Sequence, residues 1–456
     1  MTELPFEHFL STPEAMDCFS TEAIVQAMLD FEATLARAQS DVGLIPSGAA
    51  SSIAAHCKAS LLDCDKIVAA SSRAGSLAIP LVQQLRAAVA TVDKDAARYV
   101  HFGATSQDVI DTAVMLATKK SLAMLDSELG RIVFALANLA RVHRMTPVLA
   151  RTLMQAAQVT SFGAKCANWL APIARSRWAL RELKADALRV QLGGAVGTRA
   201  LLGKNGGEIA RLMAERLELT SAPAPWHTQR DRIARMAAEL GILAGSLGKV
   251  ARDVSLMMQS EVAELGQTVD AGRGGSSAMP HKKNPVGAMV AIAASIRAPL
   301  RVAAMLSTMS QEHERGLGNW QAELAEWSNL FTTVHGAAHA LGDLCSMLTV
   351  DDVRMRANVE SQRGLVFTEA ASQLLANELG KNEADALVQV ASRRAVANDS
   401  SLAQELRIAL AADPMSFGVV DESELAAVFS IDEAASQAAW VIDANLDELA
   451  AMRALD

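Results

Sequence analysis

The chain has 456 residues, of which 51% are hydrophobic and 20% are charged, and its formal net charge is −9. This composition excludes a disordered chain and allows a large buried core in roughly two to four domains. The excess of acidic residues argues against a general nucleic-acid-binding protein, because such proteins need a basic face that neutralises phosphates.

The N-terminal segment, Met1 to Glu7, has neither the basic start nor the apolar run of a secretion signal. The five cysteines are scattered and odd in number, which is typical of reduced thiols in a cytoplasmic protein. No segment reaches the ~18 apolar residues that cross a bilayer, and the longest candidate, Val286 to Ile296, stops at Arg297. A cytoplasmic protein that does not bind membranes is therefore expected.

Three long segments carry apolar residues three or four positions apart, a spacing that predicts amphipathic helices. They run from Asp108 to His143, from near Gln229 to Met257, and from just after Pro285 past Leu306, with a kink expected at Pro299. Sustained strand patterns are absent and helix-forming residues dominate the composition. These features predict an all-α protein built around a bundle of long helices.

Shorter helices are predicted towards both ends of the chain. The expected division is an N-terminal helical domain (1–110), a central long-helix bundle (111–362) and a C-terminal helical domain (363–456). Narrow alanine-rich stripes on the long helices indicate close helix packing that can continue between subunits.

The segment from Gly274 to Pro285 is the richest in chemical groups. It combines the hydroxyls of Ser276 and Ser277 with two adjacent lysines, of which Lys282 is the first, and it ends at a predicted helix start with Asn284 as N-cap. Unpaired amides and the positive end of that helix dipole would create an anion site. The alternative is a mobile surface loop with solvated lysines.

A second segment, from His101 to Asp108, precedes the first long helix. Thr105 and Asp108 have the spacing of a capping box, so this segment is predicted to start a helix. The hydroxyls of Thr105 and Ser106 could also bind a carboxylate together with the free amides. His101 would lie beside that anion, where a neighbouring carboxylate favours imidazolium.

Two further polar segments are weaker candidates. Thr152 and Gln155 are predicted to lie one helical turn apart, where core or capping roles are the better interpretation of these two residues alone. The polar run from Gln311 to Trp320 contains Arg315, which could bind a carboxylate through two hydrogen bonds, although a solvated charged turn is the alternative.

Metal and cofactor motifs are not supported. His335 and His339 are four positions apart, as helical metal ligands can be, but no third ligand has a suitable spacing. The glycines from Gly193 to Gly197 follow no predicted strand, which argues against a dinucleotide site. We expect no metal and no cofactor.

Together these segments resemble the fumarase/aspartase superfamily. Its signature Gly-Ser-Ser-x-Met-Pro-x-Lys-x-Asn-Pro is matched at every specified position by residues 275–285, and its first signature region corresponds to residues 105–108. Residues 103–109 and 311–318 are most similar to the bacterial branch that lactonises 3-carboxy-cis,cis-muconate, a small tricarboxylate. The resemblance implies an all-α fold whose central five-helix bundle packs into a homotetramer with active sites shared between subunits.

The resemblance also implies roles for individual residues. Ser277 is the candidate proton-transferring residue, Lys282 would stabilise the developing enediolate-like charge, and His101 is a third catalytic candidate. The implied substrate-binding residues are Thr105, Ser106, Thr152, Gln155, Ser276, Met279, Asn284 and Arg315.

One position departs from the superfamily pattern. The second signature region of the lyases usually reads Thr-His, and that His helps to protonate the leaving group, whereas Thr152 is followed by Leu153 here. Lactonisation expels no group, so the departure favours a cycloisomerase over an adenylosuccinate-lyase-like or other fumarate-releasing enzyme. A third hypothesis is that the chain is a non-catalytic helical assembly protein. The proton donor stays open among Ser277, His101, Lys282 and His281.

Overall fold

The computed structural model describes residues 5–268, 279, 282–412, 418 and 420–454. Helices dominate these residues, as predicted. Over the described residues the α-helices are, in chain order, α1 (Pro5–Leu10), α2 (Pro13–Asp17), α3 (Thr21–Asp41), α4 (Ser47–His56), α5 (Cys64–Ala74), α6 (Ala78–Val92), α7 (Ser106–Val142), α8 (Phe162–Ala187), α9 (Gly206–Leu217), α10 (Asp231–Met257), α11 (Val286–Ser307), α12 (Asn319–Ser346), α13 (Asp352–Glu360), α14 (Thr368–Leu379), α15 (Lys381–Ala397), α16 (Leu402–Ala412), α17 (Glu422–Val428), α18 (Ile431–Ser436) and α19 (Ala439–Ala454).

The three helices predicted from apolar spacing are confirmed as α7, α10 and α11. Their observed ends differ from the predicted ones by a few residues, which is the usual uncertainty of helix ends. α11 begins at Val286, so the predicted N-cap, Asn284, lies before the helix rather than at its cap. Pro299 lies inside α11, which continues on both sides of it, and the expected kink stays a prediction.

Short strands were not expected from the sequence, and that expectation is wrong in two places. β1 (Pro147–Thr152) pairs antiparallel with β2 (Gln155–Ser161), and β3 (Leu265–Gln267) pairs antiparallel with β4 (Leu348–Val350). β3 and β4 are too short to show a period-two pattern, and only the first three residues of β1 are buried.

The chain forms two compact units, each built from three segments. The first unit comprises residues 1–130, 175–248 and 289–341, and the second comprises residues 131–174, 249–288 and 342–456. Every boundary between the segments falls inside a long helix. The three-domain division with boundaries after residues 110 and 362 stays a prediction.

The first unit has its core around α3, which contacts α4 and α9. Ser20 caps α3 by accepting a hydrogen bond from the amide of Ala23 at 3.2 Å, and Met28, Leu29 and Phe31 are fully buried on the helix. The buried apolar residues of α6 and of the start of α7 belong to the same cluster. Burying these side chains is the main stabilising contribution, because each removes apolar surface from water.

A buried ionic network crosses the first unit. Arg230 donates to Asp111 at 3.0 and 3.2 Å and to Glu323, and all three side chains are nearly inaccessible to water. Trp320 donates to Asp111 at 2.9 Å, and the Arg230 guanidinium lies 4.8 Å from the ring centre of Trp226. Burial raises the pKa of Glu323, and the charge of Arg230 only partly opposes it. The network joins α7, the start of α10 and α12.

The second unit contains its own apolar core. α14 contacts α15, and α15 contacts α16, with Leu375, Val388 and Leu402 buried in this cluster. A neighbouring cluster includes Phe367, whose ring meets that of Phe429 edge-on at 5.7 Å. These helices belong to the C-terminal region that the sequence predicted to be helical.

One helix contradicts the expectation that no segment is long and apolar enough to cross a membrane. α11 has a mean hydropathy of 1.6 over its most apolar stretch, of which 28% is buried. The bent pair formed by Glu422–Val428 and Ile431–Met452 passes the same test of length and composition. Core helices and interface helices of soluble proteins also pass this test, so it does not by itself show a membrane span.

The Arg230 network gives a stability prediction. Replacing Arg230 with Met should lower the free energy of unfolding by about 3–5 kcal/mol, because Asp111 and Glu323 would stay buried without their cation. Chemical denaturation followed by circular dichroism measures the change. Arg211 is the matched control, since it pairs with Glu208 and Glu215 on an exposed face of α9. Arg211→Met should cost less than about 1 kcal/mol, and equal losses in both variants would contradict the network's importance.

Candidate functional site

Asp108 organises the start of α7. Its Oδ2 accepts hydrogen bonds from the amides of Thr105 at 3.0 Å and Gly194 at 2.9 Å. Its Oδ1 accepts from the amide of Gly193 at 2.8 Å and is 2.8 Å from His227 Nε2. The hydrogen bond from the Thr105 amide to the Asp108 side chain is the contact that the capping-box spacing predicts. The carboxylate is fully buried, and its four partners join the helix start to two distant segments.

The loop that contains Gly193 and Gly194 lies directly against the start of α7. A Cβ on Gly193 would meet the His227 ring at 2.6 Å, and a Cβ on Gly194 would lie 3.1 Å from the Gly103 carbonyl oxygen. A Cβ on Gly103 would in turn meet Leu202 at 2.4 Å. These glycines permit close packing of two backbone segments, which explains the Gly-rich composition without a bound nucleotide.

Arg315 and Thr105, both predicted to bind substrate, meet in the first unit. The guanidinium Nη1 of Arg315 donates to the Thr105 hydroxyl at 2.5 Å. Thr105 and Ser106 are partly exposed at the start of α7, and Arg315 is exposed on the loop that precedes α12. An arginine, two hydroxyls and the first amides of a helix form a suitable environment for a carboxylate. Sequence spacing could not show this meeting, because 210 positions separate the two residues.

His101 lies in the turn that precedes Thr105. Its Nδ1 is 2.6 Å from Glu32 Oε1, and Glu32 is buried on α3. Burial lowers the pKa of His101, but the charge of Glu32 and its hydrogen bond outweigh that effect, and the pKa is raised. Glu32 could not be identified from the sequence, because a single carboxylate in an apolar helix has no motif around it.

The second signature region forms a hairpin in the second unit. Thr152 ends β1 and Gln155 begins β2, and the two residues are paired across the turn, so the prediction that they lie one helical turn apart is wrong. Leu153 and Met154 form the two-residue turn with φ values of 49° and 67°. Such turns need positive φ at both positions and usually contain Asn-Gly. The turn residues are also 96% and 71% exposed.

A partly buried ion pair lies beside the turn of this hairpin. Arg151 donates to both carboxylate oxygens of Glu264 at 3.1 and 2.7 Å, and Asn358 donates to the same carboxylate at 2.9 Å. Burial lowers the pKa of the nearby Lys165 amine. Glu264 precedes β3, the last described element before the signature segment, which is defined as residues 275–285. The pair therefore fixes the hairpin to the chain that leads into that segment.

The signature segment is described only at Met279 and from Lys282 onward. The predicted residues Ser276 and Ser277 and the alternative proton donor His281 lie outside the described residues. Their roles stay predictions.

The described part of the signature segment is open to solvent. Met279 is 43% exposed, Lys282 is exposed and Asn284 is partly buried. The Lys282 amide donates to the Met279 carbonyl at 3.0 Å. These three residues belong to the second unit, together with the hairpin.

No metal site is found in the part of the chain that the structure describes: no group of three or more His, Cys, Asp or Glu side chains has a suitable arrangement there. His335 and His339 stack with ring centres 6.4 Å apart, and His339 Nδ1 is 3.1 Å from Glu128. His335 is buried. This arrangement is that of a packed helical pair in the first unit.

The largest cavity that we describe is separate from the predicted site. It has a volume of about 330 Å³ and lies between α7 and α8. Arg177 and Arg181 both bind Asp126 at its edge, and the two arginines lower the pKa of that carboxyl to about 2 against the opposing effect of burial. None of the predicted site residues lines this cavity.

Comparisons with known proteins agree with the signature residues. A family profile described as a lyase matches residues 9–300. The 3-carboxy-cis,cis-muconate cycloisomerase of Bradyrhizobium diazoefficiens is 47% identical over 427 residues, which cover 93% of each protein. The nitrosuccinate lyase of Streptomyces davaonensis is 39% identical over 398 residues, covering 86% of this chain and 84% of that protein.

The fold comparison gives the same result. The crystal structure of 3-carboxy-cis,cis-muconate lactonizing enzyme from Pseudomonas putida superposes with a TM-score of 0.91 at 38% identity, covering 98% of this chain and 99% of that one. The all-α fold predicted from the sequence is confirmed. The chain therefore belongs to this lyase family, which is the fumarase/aspartase superfamily that its signature residues resemble.

Proposed function

We propose that the chain is a cycloisomerase that closes 3-carboxy-cis,cis-muconate to 4-carboxymuconolactone. The relatives named for this activity support the proposal. The structural observation that carries it is the contact between Arg315 and Thr105 at the start of α7, with His101 close by in the chain. This group provides a cation, hydroxyls and amides for a substrate that bears several carboxylates.

The reaction is an internal addition that consumes one proton. One substrate carboxylate oxygen forms a bond to an alkene carbon, and the π electron pair moves to the neighbouring carbon, next to another carboxylate. That carbon then takes a proton, so a trianion and one proton give a lactone with two carboxylates. Holding the internal nucleophile close to the alkene accounts for much of the rate, and nearby cations stabilise the developing charge.

The proposed residues divide by role. Ser277, Lys282 and His101 are the catalytic candidates, and Lys282 would stabilise the enediolate-like charge. The proposed substrate-binding residues are Thr105, Ser106, Thr152, Gln155, Ser276, Met279, Asn284 and Arg315, and the polar side chains among them would bind and orient the three carboxylates. No metal or cofactor is needed for this chemistry.

A lyase that releases fumarate is the second candidate. The similarity to nitrosuccinate lyase keeps it open, because related chains of this family carry different reactions. Leu153 argues against it, since a Leu at the hairpin tip cannot protonate a leaving group. The two reactions differ in their products, so one assay separates them.

The activity is tested by following the loss of muconate absorbance and analysing the product. The wild type should form a lactone and no fumarate. Lys282→Met should lower kcat/KM about 10–100-fold, because a hydrogen bond to a charged group is worth about 1.5–3 kcal/mol. Lys94→Met, at another exposed lysine, is the control and should retain full activity. Release of fumarate from a related substrate without lactone formation would contradict the proposal.

A glycine in the two-residue turn of the hairpin should raise the stability of the protein and lower its activity. Met154→Gly should raise the free energy of unfolding by about 0.5–1 kcal/mol, because glycine removes the left-handed strain but adds entropy to the unfolded chain. If Thr152 and Gln155 bind substrate, kcat/KM should fall while stability rises. Ala156→Gly in β2 is the control and should only destabilise. A Met154→Gly variant that is less stable than the wild type would contradict the strain.

We also propose that the chain forms a homotetramer with shared active sites. Met289, Ile296 and Leu300 lie on one face of α11 and are 45%, 61% and 71% exposed. On the same helix Arg297 pairs with Glu7, and Arg301 pairs with Glu326. Two ion-paired arginines suit a protein interface better than a lipid environment, and a second copy of this chain is the proposed partner. A cytoplasmic location stays a prediction.

The α11 face gives a prediction on assembly. Leu300→Glu should reduce the sedimentation coefficient from that of a tetramer, because a charge would be buried in the helix packing. Activity should fall with it, since the site would lose the contributions of neighbouring copies. Ile408→Glu is the matched control, because Ile408 is 48% exposed on α16, which belongs to the second unit. A fully active monomer would contradict the shared site.

A further inference from the structure

We infer that His101, positioned by Glu32, supplies the proton that the lactonisation consumes. The inference rests on the proposed function, because an addition that turns a trianion into a dianionic lactone needs a proton donor in every turnover. His101 would be the catalytic residue, and Glu32 would be a positioning residue that acts through it.

The contact with Glu32 fixes which ring nitrogen can donate. The carboxylate of Glu32 accepts from Nδ1 at 2.6 Å, so the transferable proton of the imidazolium is the one on Nε2. Among the described residues Nε2 has no hydrogen-bond partner, and it is not sealed from solvent. Glu32 is 1% exposed and the His101 side chain is 18% exposed. The buried Glu32 carboxylate therefore holds the ring at Nδ1, and Nε2 is accessible to solvent.

The backbone around His101 is also held by side chains. Arg86 donates to the Val100 carbonyl at 3.2 Å, and Gln39 donates to the Phe102 carbonyl at 2.6 Å. His101 itself has a φ of 63°, a left-handed conformation that costs free energy in a residue other than glycine. Such a conformation persists only when its surroundings determine it. These contacts fix the direction of the ring.

Two of the contacts that position His101 come from side chains of α3. Glu32 and Gln39 lie two helical turns apart on one buried face of α3, where one binds the ring and the other binds the backbone beside it. Both side chains are nearly inaccessible to water. Burying two polar side chains on a core helix is unfavourable unless each has a partner. The His101 turn supplies a partner for the Glu32 carboxylate and for the amide nitrogen of Gln39, whereas Gln39 Oε1 has none among the described residues.

The charges that face the ring come from three helices. Burial lowers the pKa of His101, Glu32 on α3 and Asp108 on α7 raise it, and Arg86 on α6 lowers it. The net pKa is raised, so His101 stays protonated to a higher pH than an ordinary histidine. Asp108 also binds the Thr105 amide, which relates the ring electrostatically to the predicted carboxylate site.

The step balances without any further reactant. As the carbon–oxygen bond forms, the alkene electron pair takes the proton from Nε2, so that a C–H bond forms and the N–H bond breaks. The electron pair of that N–H bond stays on nitrogen, and the ring becomes neutral. Water then returns a proton to Nε2 before the next turnover. The raised pKa favours this return.

The test is the alkaline side of the pH profile of kcat/KM. In the wild type, kcat/KM should fall as the pH rises through the raised pKa of His101, because the neutral ring cannot donate. Glu32→Gln removes the charge and should move this fall to lower pH, with at least a tenfold loss of rate on the alkaline side. Glu32→Asp keeps the negative charge, so its pH profile of kcat/KM should be close to that of the wild type. Glu22→Gln, on the exposed start of α3, is the control and should leave the profile unchanged.

A second measurement is independent of activity. Titration of the His101 ring by NMR should show a lower pKa in Glu32→Gln than in the wild type. If the titration shifts but the wild type forms no lactone, the Glu32–His101 pair stands and the proposed function fails. An unshifted alkaline limb in a folded Glu32→Gln variant would overturn the inference, as would full activity in His101→Asn.

Discussion

The buried carboxylate of Asp108 is the constraint on which the first unit's site depends. Its four hydrogen bonds hold the Thr105 amide, two glycine amides and the His227 ring around one point. A buried carboxylate is tolerated only when donors surround it, so these segments must come together for the chain to fold. The same requirement places the hydroxyls of Thr105 and Ser106 at the open end of α7. The contacts that satisfy Asp108 therefore also position the hydroxyls of the proposed carboxylate site.

A second buried aspartate, Asp111, lies one turn further along α7 and also holds distant segments together through its hydrogen bonds. Asp111 binds Arg230 and Trp320, which fixes the start of α10 and of α12 against the same helix. The loop that carries Arg315 ends where α12 begins, so its tip is anchored close to Thr105. An exposed arginine would otherwise have many orientations to lose on binding. The buried network would therefore reduce the entropic cost of the proposed binding of substrate by Arg315.

The sequence predicted the long helices because their apolar spacing is repeated over many turns, and it predicted the family because residues 275–285 match a specific signature. It could not predict that Thr152 and Gln155 face each other across a hairpin, because a two-residue turn of Leu153 and Met154 breaks the usual Asn-Gly preference. It also missed Glu32 and His227. Their importance comes from contacts with His101 and Asp108 that only the folded chain creates.

The net charge of −9 opposes the binding of the proposed trianionic substrate at long range. Screening resolves this conflict, because at physiological ionic strength exposed charges more than about 8 Å away contribute little. The groups within hydrogen-bonding reach decide the affinity, and in the described part of the first unit the proposed ones include Arg315 and His101. A histidine donor adds a further consequence. When the substrate loses one negative charge by protonation, the site loses one positive charge, so the dianionic product meets a less cationic pocket. Reprotonation by water then restores the attraction for the next trianion.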